Sequence, residues 1–292
     1  MDKQKILKAG KIAVEVKKLV KEIVKKDVSL LEIAEKIEGK IVELGGKPAF
    51  PVNLSIDEVA AHYTPSHNDE SVARGLLKVD FGVHVDGWCS DTAMSFDLEY
   101  SEENKKLIEA AEAGLNSAIE VFKEGEELSV IGGVIEKAIE GFDFVPIRNL
   151  SGHEMKQYDL HAGVTVPNMD DSRAGKIEKG LYAIEPFATT GAGKVKDGNP
   201  SGIYMLINSK NVRSPIAREV LEFISEEYET LPFCSRWIVK KFGTRALFGL
   251  RELERNGNLH HFPQLVEAGK GKVAQAEESV FIGEEKVVST IG

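Results

Sequence analysis

Asp80 lies in Lys-Val-Asp-Phe-Gly and Asp91 in Cys-Ser-Asp-Thr-Ala, two acids among β-prone, largely apolar neighbours. Between them, Asp86-Gly87 is a two-residue hairpin signal. A turn there sets Val85 opposite Trp88 and, further along the ladder, Asp80 opposite Ala93. Asp91 then shares the face of Asp80, and diagonal neighbours on one face lie about 7 Å apart. Two carboxylates so placed, in a stretch fit for burial, repel strongly unless a cation sits between them. A solvated strand edge is the other reading, and a bulge would break the register. Further acids join them. Glu185 ends a strand-like run that Pro186 stops, and Glu277 lies in Val-Ala-Gln-Ala-Glu near the end of the chain. His153 follows Ser151-Gly152, where glycine allows a close backbone approach. A lone histidine there is more often a hydrogen-bonded loop residue than a ligand, so the weight rests on the whole set.

Such a set needs a frame. Residues 77–98 read as the hairpin. Upstream, Ile6, Ala9, Ala13, Val16, Val20, Ile23 and Val24 recur at helical steps, with nine lysines in residues 1–26. A basic amphipathic helix can sit on RNA or a membrane surface, but more commonly it packs its stripe on the core and solvates its lysines. A second helix is expected over 29–38, capped by Ser29 and stopped by Gly39. A loop with Pro48, Pro51, Asn53 and Pro65 follows. Helices are expected from Ser101 to about 123 and over 130–140. Residues 141–190 read as strands and glycine turns, with one strand at 181–186. Two or three helices over 214–230 and 233–256 read as an insertion, and strands at 272–282 and 285–290, turning near Gly283, close the chain.

The 292 residues carry 37 Lys and Arg against 47 Asp and Glu, a net charge of −10, with 42% hydrophobic residues. That composition fits a soluble globular protein and argues against one that grips nucleic acid through an overall positive field. Cys89 and Cys234, far apart, give no disulfide framework and no CxxC pair, which favours a reducing compartment. No apolar run nears the roughly 20 residues of a membrane span, and no signal peptide is read, so a cytoplasmic location is expected. GxSxG, HExxH and a P-loop are all absent.

The words around the acids carry a resemblance. Ala-Ala-His-Tyr-Thr-Pro at 60–65, Val-Asp-Phe-Gly at 79–82, Ser-Asp-Thr-Ala at 90–93, Ser-Gly-His at 151–153, Leu-Tyr-Ala-Ile-Glu-Pro-Phe at 181–187 and Ala-Gln-Ala-Glu at 274–277 match closely. Together they resemble the methionine aminopeptidase/creatinase family of pita-bread metallopeptidases. The helical block, about 205–265, with Leu-Pro-Phe-Cys-Ser-Arg-Trp at 231–237, resembles the insertion of its type 2, archaeal-type members. The likeness runs from about residue 5 to 290. It implies an α+β fold, a curved antiparallel sheet covered by helices, in one catalytic domain over 1–292. It implies two divalent metal ions on Asp80, Asp91, His153, Glu185 and Glu277. Mostly oxygen ligands with one imidazole suit Mn, Fe, Co or Zn.

The activity so implied is removal of the initiator methionine from nascent polypeptide N-termini when the second residue is small. A hydroxide bridging the two metals would attack the peptide carbonyl, Glu185 would also shuttle a proton, and Asp80 with the metals would hold the α-amine. His62 and His161 would donate hydrogen bonds to the substrate and the developing oxyanion. Phe50, Leu160, Ile203 and Phe262 are candidates for the methionine pocket, although without the resemblance each reads simply as core. His67, His84, His260 and His261 are read as non-catalytic. Two departures stand out: Ala276 and Glu278 flank Glu277 where relatives often carry Phe and His, and Ile203 replaces a frequent His. Glu278 should point away from Glu277. No stable nucleic-acid complex is expected, a transient ribosome contact through the basic first helix is an expectation, and monomer is the default state. The rival readings are a ribosome- or RNA-binding protein on the same fold and a proline-directed peptidase such as prolidase. Those peptidases normally carry a sizeable N-terminal domain, whereas only about 75 residues precede Asp80.

Overall fold

The computed structural model describes every residue except Arg173 and Gly292. Helices α1 (Lys3–Ile23) and α2 (Leu30–Glu43) open the chain. Asp2 and Ser29 cap them by accepting from the amides of Lys5 and Glu32. The apolar stripe of α1 is buried on the core, the commoner of its two readings. Gly39 does not stop α2. One glycine costs about 1 kcal/mol in a helix, too little to break one that buries Ile33, Ile37 and Ile41. The stop is Gly45, at φ +80°, where the amides of Gly45 and Gly46 return to the carbonyls of Val42 and Ile41.

The stretch expected to be a loop holds three short strands: β1 (Lys47–Pro48), β2 (Asn53–Ile56) and β3 (Val59–Ala61). Then β4 (Leu76–Val85) and β5 (Trp88–Asp97) form the expected hairpin. Asp86 and Gly87 take φ +51° and +75°, and the ladder pairs Val85 with Trp88, Asp80 with Ala93 and Gly82 with Asp91. Leu77, Val79, Phe81 and Val83 pack under α1 and α2. Strand alternation therefore turns Asp80 and its partner face the other way.

Next come α3 (Glu102–Val121), capped by Ser101, and α4 (Leu128–Glu140). They are followed by β6 (Val145–Pro146), β7 (Ser151–Met155), β8 (Thr165–Pro167), β9 (Gly180–Ile184), β10 (Phe187–Thr189) and β11 (Val195–Leu206). The helical block is α5 (Pro215–Glu227), the short strand β12 (Phe233–Cys234), α6 (Ser235–Phe242) and α7 (Ala246–Arg255). It has its own apolar cluster, including Val220, Ile224, Phe233, Ile238, Leu250 and Leu253. The chain ends in β13 (Leu259–Glu267), β14 (Val273–Gln275), β15 (Glu278–Ile282) and β16 (Lys286–Val288). The strand expected over 272–282 is thus broken at Ala276 and Glu277, and the last strand is shorter than expected.

The strands pair antiparallel in the orders β1-β4-β2 with β5 on β4, β14-β10-β6, β12-β11-β13-β3 and β16-β15-β9-β7-β8. Helices α3 and α4 cover Tyr182, Ile184, Val280 and Ile282. Leu181, Ala183 and Phe281 belong to the cluster of Phe50 and Leu160. A curved sheet layer therefore runs between two helix pairs. Paired backbone bonds between Ala93 and Glu277 join the hairpin to the break between β14 and β15.

Candidate active site

The hairpin carries Asp80 and Asp91 into one cleft, β7 brings His153 and the end of β9 brings Glu185. The break after β14 brings Glu277. A cavity of about 220 Å³ is lined by all five, by His62 and His161, and by Phe50, Leu160, Ile203 and Phe262. All eleven residues singled out in the sequence therefore share it. His153 Nε2 is 3.7 Å from Asp91 Oδ2 and 3.8 Å from Glu185 Oε1. One ligand-type atom from each of Asp91, His153 and Glu277 lies within 4.8 Å of the others. His153 and His161 stand with ring centroids 4.4 Å apart.

The electrostatics test whether a cation fits. Asp80 Oδ1 and Asp91 Oδ1 are buried and have no hydrogen-bond partner among the described residues. Burial pushes the Asp80 carboxyl up to about 7. Burial first, and then the charge of neighbouring acids (Asp80 for Asp91, Asp91 foremost for Glu185 and Glu277), pushes Asp91, Glu185 and Glu277 well above the carboxylate range. Burial also lowers His153 to about 3, so its ring stays neutral with a lone pair to give. Four crowded acids, two of them with unmet oxygens, and a neutral imidazole fit a site for hard or borderline divalent cations.

His62 follows β3 with φ +64°, a left-handed conformation that costs a non-glycine residue about 1–2 kcal/mol. Its Nδ1 is 3.1 Å from the Pro263 carbonyl. A carbonyl only accepts, so Nδ1 carries the proton and donates. Burial lowers His62 to about 4, keeping the ring neutral, and its Nε2 is left as an acceptor. Phe262 stands edge-on to His62 at 5.6 Å and pairs with Ile203 across β13 and β11.

Glu278 turns away from Glu277. Its Oε1 is 2.5 Å from Lys17 Nζ on α1, and Thr92 Oγ1 donates to its Oε2 at 3.3 Å. The ion pair offsets the charge that the departure beside Glu277 introduces. Further polar residues in and around the cleft were not among the site candidates read from the sequence. Asn53, paired with Asp80 across β2 and β4, has a buried unpartnered Oδ1, as Gln275 has an unpartnered Oε1. Gln275 had a signal, two residues before Glu277. Asn53 had none, because only the β2–β4 pairing places it. Asn168 donates to the carbonyls of Leu150 and Glu185 and so fixes the chain at Glu185.

The description of metallopeptidase family M24 matches residues 4–219. A methionine aminopeptidase of Pyrococcus abyssi is 45% identical over 295 residues, 99% of each chain. The crystal structure of a methionine aminopeptidase from Thermotoga maritima, 19% identical, superposes with a TM-score of 0.71 over 100% of this chain and 98% of that one. The structure of a thermophilic Arx1, 14% identical, gives a TM-score of 0.84 over 98% of this chain and 90% of that one. At such identities the two structures show the fold alone, which is the expected α+β pita-bread arrangement. The family match over most of the chain and the full-length relative settle the membership: the chain belongs to metallopeptidase family M24.

Proposed function

We propose that the chain is a methionyl aminopeptidase, a metal-dependent hydrolase that removes the initiator methionine from nascent proteins when the second residue is small. One observation carries this reading. A single cleft has buried, unneutralised carboxylates and His153 on its floor, with an apolar wall beside His62 and His161. The name of the Pyrococcus abyssi relative supports it.

In this reading Asp80, Asp91, His153, Glu185 and Glu277 hold two divalent cations of the Mn, Fe, Co or Zn class. The four carboxylates balance the charge of two such ions. When bound, the pair supplies Lewis acidity, polarising the scissile carbonyl and acidifying water. Phe50, Leu160, Ile203 and Phe262 enclose the thioether side chain, and Asp80 faces the α-amine. His161 donates to the carbonyl oxygen as charge develops there. His62, with Nδ1–H committed to Pro263, accepts the scissile amide N–H through Nε2. This differs from the donor role that the resemblance implied. Glu185 carries a proton to the leaving amine.

The whole chain acts as one catalytic domain, with the block at about 205–265 as an insertion at its rim. Its place of work is the cytoplasm, on emerging N-termini. The lysines on the outer face of α1 are the surface for a transient ribosome contact. Among the described residues no helix is long and apolar enough to cross a membrane. Met-Gly-Met and Gly-Pro-Met, assayed with and without a divalent metal, test the reading. Cleavage of the first peptide only, and only with metal, is expected; metal-independent turnover, or none with methionine first, overturns it.

A further inference from the structure

Arg236, in the first turn of α6, is 3% exposed, and Glu38 of α2 is 8% exposed. The guanidinium donates from Nη1 to Glu38 Oε2 at 2.6 Å and from Nη2 to Glu38 Oε1 at 2.9 Å. Its remaining edge reaches the chain just after His62. Nε donates to the Pro65 carbonyl at 3.0 Å, and Nη2 also donates to Thr64 Oγ1 at 3.3 Å. Trp237 Nε1 donates to Glu38 Oε2 at 2.9 Å. The Val52 amide, between the wall residue Phe50 and β2, donates to Glu38 Oε1 at 3.4 Å. One buried pair thus ties together α2, the helical block, and the segment His62–Pro65.

That segment has little freedom of its own. The Tyr63 carbonyl accepts from the Leu54 amide at 2.7 Å, and Thr64 precedes a proline, which biases it to extended backbone. His62 sits in the left-handed region, and such a conformation persists only where its surroundings over-determine it. Pro263 fixes the ring at Nδ1. The guanidinium holds the Thr64 hydroxyl and the Pro65 carbonyl, two and three residues further on. A planar fork with donors in fixed directions can do this, whereas an ammonium offers one rotating point of charge.

We infer that the Glu38–Arg236 pair is a positioning device for the His62 imidazole, so that the helical block shapes catalysis through this contact. The inference rests on the reading that His62 faces the scissile amide. A purely structural pair would join α6 to α2 and leave His62 uncoupled from it.

A double-mutant cycle separates the two. With saturating divalent metal and Met-Gly-Met as substrate, kcat and KM are measured for the wild type, Arg236→Lys, His62→Ala and the double variant. Arg236→Lys is expected to lower kcat about 10- to 50-fold with KM within about twofold, as a small misplacement of a reacting group does. On the His62→Ala background the same change should cost no more than about twofold, because an absent ring cannot be misplaced. Equal losses on both backgrounds overturn the inference. A His62→Ala enzyme with near-wild-type kcat overturns the reading of His62 and this inference with it. Imidazole ¹⁵N resonances of His62 should also shift in Arg236→Lys, and unmoved resonances overturn the inference. Should Arg236→Lys fail to fold, Glu38→Gln takes its place. A loss of about 3- to 10-fold confined to the His62 background is then expected, and an equal loss on both backgrounds overturns the proposal.

Discussion

Asp91 sits where ionisation is unwelcome, buried beside Asp80 with one carboxylate oxygen unpartnered among the described residues. Without a cation its charge opposes folding; with one it is a ligand. Asp91→Asn is therefore expected to have two opposite effects. It should cut turnover by more than about 100-fold, since a ligand should matter at least as much as its supporting neighbours. It should also raise the stability of the chelator-treated protein by about 1 kcal/mol, as neutralising a crowded buried acid does. Steady-state assay and calorimetry under chelator read the two effects. A drop in chelated stability would mean that Asp91 is tied to the fold by something other than a cation. The Lys17–Glu278 pair behaves the other way, because both charges are compensated at 2.5 Å. Lys17→Met strands Glu278 and is expected to cost about 1–2 kcal/mol, below the cost for fully buried pairs. Lys17→Met combined with Glu278→Gln should recover most of that loss in urea unfolding, and no recovery would show that the lysine stem, not its charge, matters. At this scale the sequence made the acids readable, because polar residues in apolar strands stand out. Glu38 and Arg236 were unreadable, since nothing local joins residues 198 apart.

The hairpin of β4 and β5 was legible because Asp86-Gly87 leaves one register for the alternating pattern to obey, and Asp80 and Asp91 came with it. Strands β2 and β3 were not, because the prolines around them read as loop while their pairing partners lie elsewhere in the chain. The end of α2 shows a smaller failure of the same kind: glycine was the right signal, but packing on Ile41 carried the helix past Gly39 to Gly45. Two glycines test how elements hold the cleft. A Cβ on Gly82 would press into the Phe50 ring and the Ala49 side chain, under the apolar wall. Gly82→Ala is expected to raise KM for methionine peptides about 5- to 20-fold with kcat within about threefold, the mark of lost binding common to ground and transition states. A loss in kcat alone would place Gly82 away from the pocket. A Cβ on Gly152 would strike the Ala183 carbonyl of β9, which is backbone and cannot swing aside. Gly152→Ala is expected to cost about 2–4 kcal/mol, within the range for overpacking or a broken buried network. An unchanged unfolding midpoint would show that β7 and β9 can separate without harm.

Across the whole molecule, helices on both outer faces force the acids of the inner layer into the one cleft, where their repulsion becomes a property of global stability. The pH dependence follows from the direction of the shifts. An acid whose pKa is raised by folding binds its proton more tightly in the folded state. For Asp80 the ordinary value is 3.8 and the folded value about 7. Below the lower value the carboxyl is protonated in both states and its stabilising share is fully present. As pH rises towards the upper value the unfolded chain has released its proton while the folded chain has not, so stability is lost. Asp91, Glu185 and Glu277 add in the same direction. A divalent cation competes for the same oxygens, so it displaces the held protons and binds more tightly as pH rises. The gap in unfolding temperature between metal-loaded and chelated protein is therefore expected to widen from about pH 5 to about pH 8, by on the order of 5–10 °C for a few kcal/mol in a chain of this size. Taking the difference at each pH cancels the titration of groups outside the cleft. The same scan on Asp91→Asn should show a smaller gap and a flatter slope. A gap independent of pH in the parent protein would mean that the cluster does not exchange protons for metal, and that its burial, its raised pKa values and its cation affinity do not share one origin.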